Sequence, residues 1–370
     1  MLGVPIPDAT QWEQIEHVGD CSYRVLQALE TMAAQGERIS QDATSGRIVS
    51  LLKANQQIRA QAEAMGFSRP NERPGMFTTA LVVQGGERRI SLYSSGRSHA
   101  GENLAAFLAK RQADHGAPWV MSDAFSPNDL EAPAVIRCHC LVHGRRQFSE
   151  LEEVFPSECR VVIDILSDVF DHDEHTRKEQ MSPKARLTYH QAFSGPLMEE
   201  LKTWLVPQVE DRLVEPNSSL GKAIGSMQAH GESLTRFVQV PGAPLENNAV
   251  ERALKLCIRQ RTNSLFYKNE HSASIASGLT SLIATCLHTG INALDYVVAL
   301  QDNRQAVFAH PEQWLPWEGA RSRASPEATR RQSLAIWAPC GLPFQMSTLS
   351  SRALRGRRAS VELGHHVKRP

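Results

Sequence analysis

The 370-residue chain predicts an α/β core interrupted by a helical insertion, and three observations carry that expectation. Strand-forming runs cluster between residues 38 and 140, the block 144–235 has helical spacing and no convincing strand, and helical patterns resume beyond 249. At 41.0 kDa with 41% apolar residues the chain can fill a sizeable core and is long enough for two or three structural units.

Residues 1–36 read as a helical leader of two helices. Thr10 with Glu13 fits a capping box, Gly19 interrupts, and Gly36 stops a second run carrying Val25, Leu26, Leu29, Met32 and Ala33. Residues 38–44 alternate weakly, 76–83 and 88–93 are rich in β-formers, and Gly85-Gly86 between the last two predicts a hairpin. Leu104, Phe107 and Leu108 predict a helix within 101–113, which leads into a short buried strand at 119–122; residues 134–140 form a further short strand. Helices are then expected around 148–154, 161–170, 187–205 and 219–237. Residues 241–248 have turn chemistry, and helices follow at 249–262 and 272–288. The end differs: residues 318–370 hold ten Arg or Lys against three Glu with little periodicity, and read as a basic, disordered tail that is either solvated or touches DNA.

Forty Lys plus Arg balance forty Asp plus Glu, so the whole chain exerts no long-range pull on nucleic acid or acidic membrane, and any anion binding must come from local clusters. Seven Cys without a regular framework argue against a disulfide-stapled secreted protein. The amino-terminal residues lack a basic stretch before an apolar run, and nowhere do 18 consecutive apolar residues occur. A soluble cytoplasmic protein with no membrane partner is the expectation.

Three acids stand where regular elements could aim them into one cleft. Asp42 lies in the first strand, Asp123 directly follows the strand 119–122, and Glu251 lies in the first turn of the helix opened by Asn247-Asn248. Two Asp and one Glu supply hard oxygen donors suited to magnesium or manganese, the equipment for in-line phosphodiester displacement. Each acid also has a bland reading as a turn or capping residue, and Asn248 with Glu251 fits an N-cap with a carboxylate at the third helical position. On the same helix Val250, Ala253, Leu254, Cys257 and Ile258 form an apolar stripe, while Glu251, Lys255 and Arg259 recur along another face. Arg252, Lys255, Arg259, Arg261 and Lys268 set five cations against Glu251 alone between 251 and 268, a local field suited to phosphate, or else a solvated face with an intrahelical Glu-Lys pair.

A second cluster holds Cys138, Cys140 and His143. These are close enough to suggest zinc, yet their spacing matches no standard structural site and no second ligand pair follows nearby; the favoured reading is metal-free, with Cys140 as a buried strand end. Arg145 and Arg146 then become candidates for phosphate contacts. Neither a Gly-x-Ser-x-Gly elbow nor a Gly-x-x-x-x-Gly-Lys loop is present.

An ordered series of stretches resembles the DDE transposases of the insertion sequence 66 type. It runs through Gln41-Asp42-Ala43-Thr44, Ser95-Gly96-Arg97, Val120-Met121-Ser122-Asp123, Cys140-Leu141-Val142-His143-Gly144-Arg145-Arg146-Gln147-Phe148 and Ser219-Leu220-Gly221-Lys222. The strongest match is Leu245-Glu246-Asn247-Asn248-Ala249-Val250-Glu251-Arg252, continuing through Ile258-Arg259 and Asn263-Ser264-Leu265-Phe266, with Leu315-Pro316-Trp317 as a closing motif. The resemblance implies a ribonuclease H-like core of the retroviral integrase type, with a helical insertion between the second and third catalytic carboxylates. The 128 residues from Asp123 to Glu251 leave room for it. It divides the chain into a leader (1–36), a first part of the core (37–143), the insertion (144–235), core-completing helices (236–318) and the tail (319–370).

Carried over, the catalytic and metal-holding residues are Asp42, Asp123 and Glu251 with two divalent ions, magnesium or manganese. DNA contacts fall to Arg97, Arg145, Arg146, Asn247, Asn248, Arg252, Lys255, Arg259, Arg261 and Lys268. The implied activity is cleavage at transposon ends and transfer of the freed 3′-hydroxyl to target DNA, without ATP, by a homodimer or higher assembly with element-encoded accessory proteins, in the cytoplasm and on the nucleoid. Departures include Glu246 for Asp, Ala43 for Glu, Ala124-Phe125 for Gly-Tyr and Thr262 for Lys; none removes an implied ligand. Relatives carry a helix-turn-helix and a zinc-binding element ahead of this region, so a shortened copy is expected. The alternative is a catalytically silent remnant that binds DNA or full-length transposase.

Overall fold

A computed structural model describes residues 6–67, 76–124 and 135–319. At its centre is a mixed five-stranded sheet, order β3-β2-β1-β4-β5, of β1 (Arg38–Ser45), β2 (Phe77–Gly85), β3 (Arg88–Gly96), β4 (Trp119–Ser122) and β5 (Ile136–His139). β1 pairs antiparallel with β2 along its whole length, but parallel with β4 only from Arg38↔Trp119 to Ser40↔Met121. β4 runs parallel to β5. The expected hairpin forms one residue later than Gly85-Gly86: Gly85 still pairs with Arg88, the loop is Gly86-Glu87, and Gly86 takes φ +57°, a conformation that favours glycine.

Strand alternation separates two apolar faces. Leu81 and Val83, with Ile39, Ile90, Leu92 and Val120, pack with Val25 and Leu29 of α1 (Asp8–Ala33) and Leu104 and Phe107 of α3 (Ala100–Leu108). Ala80 and Val82, one residue out of phase, pack instead with Val250, Ala253, Leu254 and Cys257 of α9 (Asn248–Ser264). α10 (Glu270–Thr289) runs along the edge strand β3. Its Ser281 and Thr285 hydroxyls, one turn apart, accept the backbone N–H groups of Tyr93 at 2.8 Å and Ser91 at 3.2 Å, and Ser277 donates to the Ser95 hydroxyl at 2.9 Å. A row of small polar side chains thus satisfies amides that an edge strand would otherwise leave open.

The stretch from Leu141 to Leu245 builds a core of its own. In it α4 (Leu141–Ser149), α5 (Pro156–Lys178), α6 (Pro183–Glu210) and α7 (Ser219–Ala229) bury Phe148, Cys159, Leu166, Leu201 and Ile224 against one another. α8 (Gly231–Leu234) and a 3-10 turn at Arg236–Val238 lead out of it. α11 (Ala293–Asp302), α12 (Arg304–Ala309) and α13 (Pro316–Gly319) close the described chain, returning Leu300, Val307 and Leu315 to the core beside α1.

Several expectations are corrected. The leader is one helix: a Cβ on Gly19 would stand 3.0 Å from Ile275 of α10, so this glycine permits a close helix approach instead of a break. The helix expected at 148–154 is α4, seven residues earlier, because its buried pair is Leu141 and Phe148. The run 219–237 breaks at His230 and again at Thr235 into three pieces. α2 (Val49–Ala64) has no counterpart among the expected helices; it buries only Leu51 and so has no apolar stripe to read. The basic tail from residue 320 onward, like Phe125 and Ala134, lies outside the described residues.

Candidate active site

The parallel register brings the first two acids together. Ser40 pairs with Met121, and a residue two positions on shares the same face, so Asp42, midway along β1, and Asp123, directly after the end of β4, stand abreast. Beyond that point β1 continues beside β2 while β4 has ended, which opens the sheet.

α9 supplies the third acid. Asn247, fully buried ahead of its first turn, donates from Nδ2 to the Gln41 carbonyl at 2.9 Å. This bond ties the start of α9 to the residue before Asp42. The residue that caps α9 is Asn247, not Asn248, and it makes no side-chain cap bond, so the expected pairing of an Asn248 cap with Glu251 fails. Instead Oε1 of Glu251 is buried with no hydrogen-bond partner among the described residues.

Asp42 registers the gathering of charge. Burial pushes its carboxyl up to about 6; a 2.7 Å bond from the Ala43 N–H opposes the rise, the negative charges of Asp123 and Glu251 add to it, and His143 opposes it.

α4 closes the site from the other side. The Cys140 N–H donates to the Ser122 carbonyl and the Leu141 N–H to the Leu245 carbonyl, each at 2.9 Å, so the start of α4 is stitched to the end of β4 and to the loop before α9. One turn in, His143 Nε2 lies 3.8 Å from Glu251 Oε1. The donor atoms of Cys140, His143 and Glu251 all lie within 4.8 Å of one another. Cys138 is absent from that group; it is buried on β5, where burial pushes its thiol up to about 12. Cys140 is buried as expected, but it opens a helix and does not end a strand. Asp123, His143 and Arg146 line an open cleft of about 260 Å³ together with Ser226 and His230.

The expected DNA-binding residues separate into two groups. Arg146, Arg252, Lys255, Arg259 and Lys268 are exposed and present charge to solvent. Others are engaged in the frame. Asn247 is buried, Arg261 donates to the Thr44 and Ser45 hydroxyls at 3.1 and 3.0 Å and to the Ser45 carbonyl, and Arg145 reaches Ser167 at 3.2 Å inside the helical block. Arg97 and Asn248 are half-buried, and the Asn248 carbonyl accepts from Arg252 at 3.1 Å. Sequence reasoning missed two participants in the frame: Glu246, paired with Arg177 of α5 at 3.2 Å, and His143 as the neighbour of Glu251. The Cys140-x-x-His143 spacing, which puts both on one side of a first helical turn, was the available signal.

The donor set suits hard divalent cations. Asp42 lies within electrostatic range of Asp123 and Glu251, and one Glu251 oxygen is buried without a hydrogen-bond partner among the described residues; a cation would relieve the repulsion of carboxylates so placed.

Comparison with known proteins agrees in direction. The chain is 28% identical over 232 residues to the uncharacterized protein y4jD of Sinorhizobium fredii (strain NBRC 101917 / NGR234), covering 61% of this chain and 44% of that protein. It is 28% identical over 201 residues to y4hP of the same organism, covering 50% and 36%. The chain thus spans less than half the length of these curated relatives. Residues 1–275 match the family described as Transposase IS66 family, and with most of the chain inside that match, the protein belongs to the IS66 family of transposases.

Proposed function

We propose that this chain is the catalytic part of a DNA transposase, that its sheet is a ribonuclease H-like core, and that Asp42, Asp123 and Glu251 hold two divalent ions for cutting and joining DNA. The observation that supports the proposal is the electrostatic proximity of those acids, brought by β1, the end of β4 and α9: the Asp42 carboxyl is raised by burial and further by the charge of Asp123 and Glu251. A central β1 with an antiparallel partner on one side and a parallel one on the other supports the core assignment.

Magnesium or manganese bound by the three carboxylates would activate the attacking oxygen and neutralise the leaving one. The chain's own residues do the rest. Asn247 and the Leu141–Leu245 bond hold Glu251 against the strand ends, and His143 stands beside its Oε1. The exposed cations of α9, with Arg146 and Lys268, track the phosphate backbone of the element end and the target. Water first breaks a P–O bond at the element end and leaves a 3′-hydroxyl. That hydroxyl then attacks a target phosphate and displaces another 3′ oxygen, so one ester replaces another and no ATP is consumed. Two ends call for at least a dimer, with accessory proteins of the element as further partners.

Incubating the purified chain with magnesium and a labelled element-end duplex tests this. Nicking and strand joining that vanish in Asp123→Asn are expected; binding without nicking at any magnesium or manganese concentration would overturn the enzymatic reading.

A further inference from the structure

We propose that Cys140, His143 and Glu251 form a second metal site, selective for zinc or another thiophilic divalent ion, and that its occupation withdraws Glu251 from the carboxylate set. The three donor atoms lie within 4.8 Å of one another, close enough to converge on one ion with small side-chain shifts. Two further observations point to a ligand there. Oε1 of Glu251 and Nδ1 of His143 are both buried with no hydrogen-bond partner among the described residues. The backbone N–H groups of His143, Asn247 and Val142 lie against the Cys140 sulfur at the opening of α4.

The chemistry of the two donor sets differs. Sulfur, imidazole nitrogen and one carboxylate oxygen suit a borderline-soft ion in tetrahedral geometry with one open position, whereas Asp42, Asp123 and Glu251 offer oxygen alone. Coordination releases the Cys140 thiol proton to water. Because Glu251 belongs to both sets, it cannot serve both ions fully, and zinc becomes an inhibitor of magnesium-dependent cutting. That consequence rests on the proposed function; the binding site itself does not.

Cobalt(II) is the probe for the full chain. A near-ultraviolet sulfur-to-cobalt charge-transfer band, saturating at one ion per chain and bleached by zinc, is expected. Cys140→Ser should abolish the band, Cys138→Ser should keep it, and His143→Asn, at a half-buried position, should weaken cobalt binding at least ~100-fold while circular dichroism remains that of the wild type. Absence of the band in the wild type, or its survival in Cys140→Ser, would overturn the site. In nicking assays with magnesium, with each protein measured against its own zinc-free rate, zinc should inhibit the wild type at concentrations at least ten-fold below those needed for His143→Asn; equal sensitivity would overturn the inhibitory role. A chain that shows the band and cuts no DNA retains the site and loses the transposase reading, so the two failures are distinguishable.

Discussion

Asp42 is the side chain on which the site's electrostatics can be read directly. Its carboxyl is raised to about 6 from an ordinary value of 3.8, by burial first and by its two acidic neighbours after it. A carboxyl raised on folding stabilises the fold while protonated; that contribution is full below about pH 4 and is lost as pH rises through 6. Without divalent ions, Asp42→Asn is therefore expected to melt a few degrees above the wild type at pH 7.5 and level with it at pH 4. Magnesium should raise the wild-type melting temperature more at pH 7.5 than at pH 5, because proton and metal compete for the same oxygens. Equal melting of variant and wild type at pH 7.5 would show that neither burial nor the neighbouring charges raise the Asp42 carboxyl on folding. Asn247 works by geometry. Its amide is fully buried and donates to Gln41, so Asn247→Ala should cost about 1–3 kcal/mol in urea unfolding, the range for a buried hydrogen bond broken on one side. An unchanged urea midpoint would remove Asn247 from the frame.

α9 joins two tasks on one helix: an apolar stripe packs on Ala80 and Val82 of β2, and a charged row faces outward. Sequence periodicity shows both, since the helix is amphipathic throughout. It cannot show that Arg261, in the same cationic run, turns inward to clamp the end of β1. Lys255→Ala and Arg259→Ala should each lower the salt dependence of DNA binding, with a slope change of roughly 0.9 for every phosphate no longer neutralised and with unchanged melting. Arg261→Ala should instead lower the melting temperature. If the salt slope ignores Lys255 and Arg259, the outward face of α9 does not meet phosphate. α10 shows why other elements are harder to read. The Ser277, Ser281 and Thr285 ladder serves β3, some 190 residues away in sequence, and small hydroxyls on a helix carry no apolar signal. α2, with Leu51 as its buried residue, is illegible for the same reason.

Across the molecule, the features legible in the chain are those that depend on local pattern. The hairpin of β2 and β3, the short strand before Asp123 and the turn before α9 all announce themselves in short continuous stretches of the chain. The neighbours of Glu251 do not, because His143 and Cys140 lie more than a hundred residues upstream and reach it only through the stitching of α4 to the Leu245 loop. That stitching also makes the helical block a wall of the site. Its separate apolar core, centred on Phe148, Leu166 and Ile224, holds α7 across the cleft from Asp123, and Ser226 is one of the side chains lining the gap. On the proposed function, a duplex end that enters through this cleft passes α7 on its way to Asp123. Ser226→Trp puts an indole into this open cleft of about 260 Å³ without entering either core, so it should leave the melting temperature within about 2 °C, as expected for a substitution outside the packed interior. Nicking of the element end should fall at least ten-fold, and cobalt binding by Cys140 should persist. Full nicking in Ser226→Trp would mean that DNA approaches the carboxylates from the open side of the sheet, and that the helical block is a scaffold for Glu251 alone.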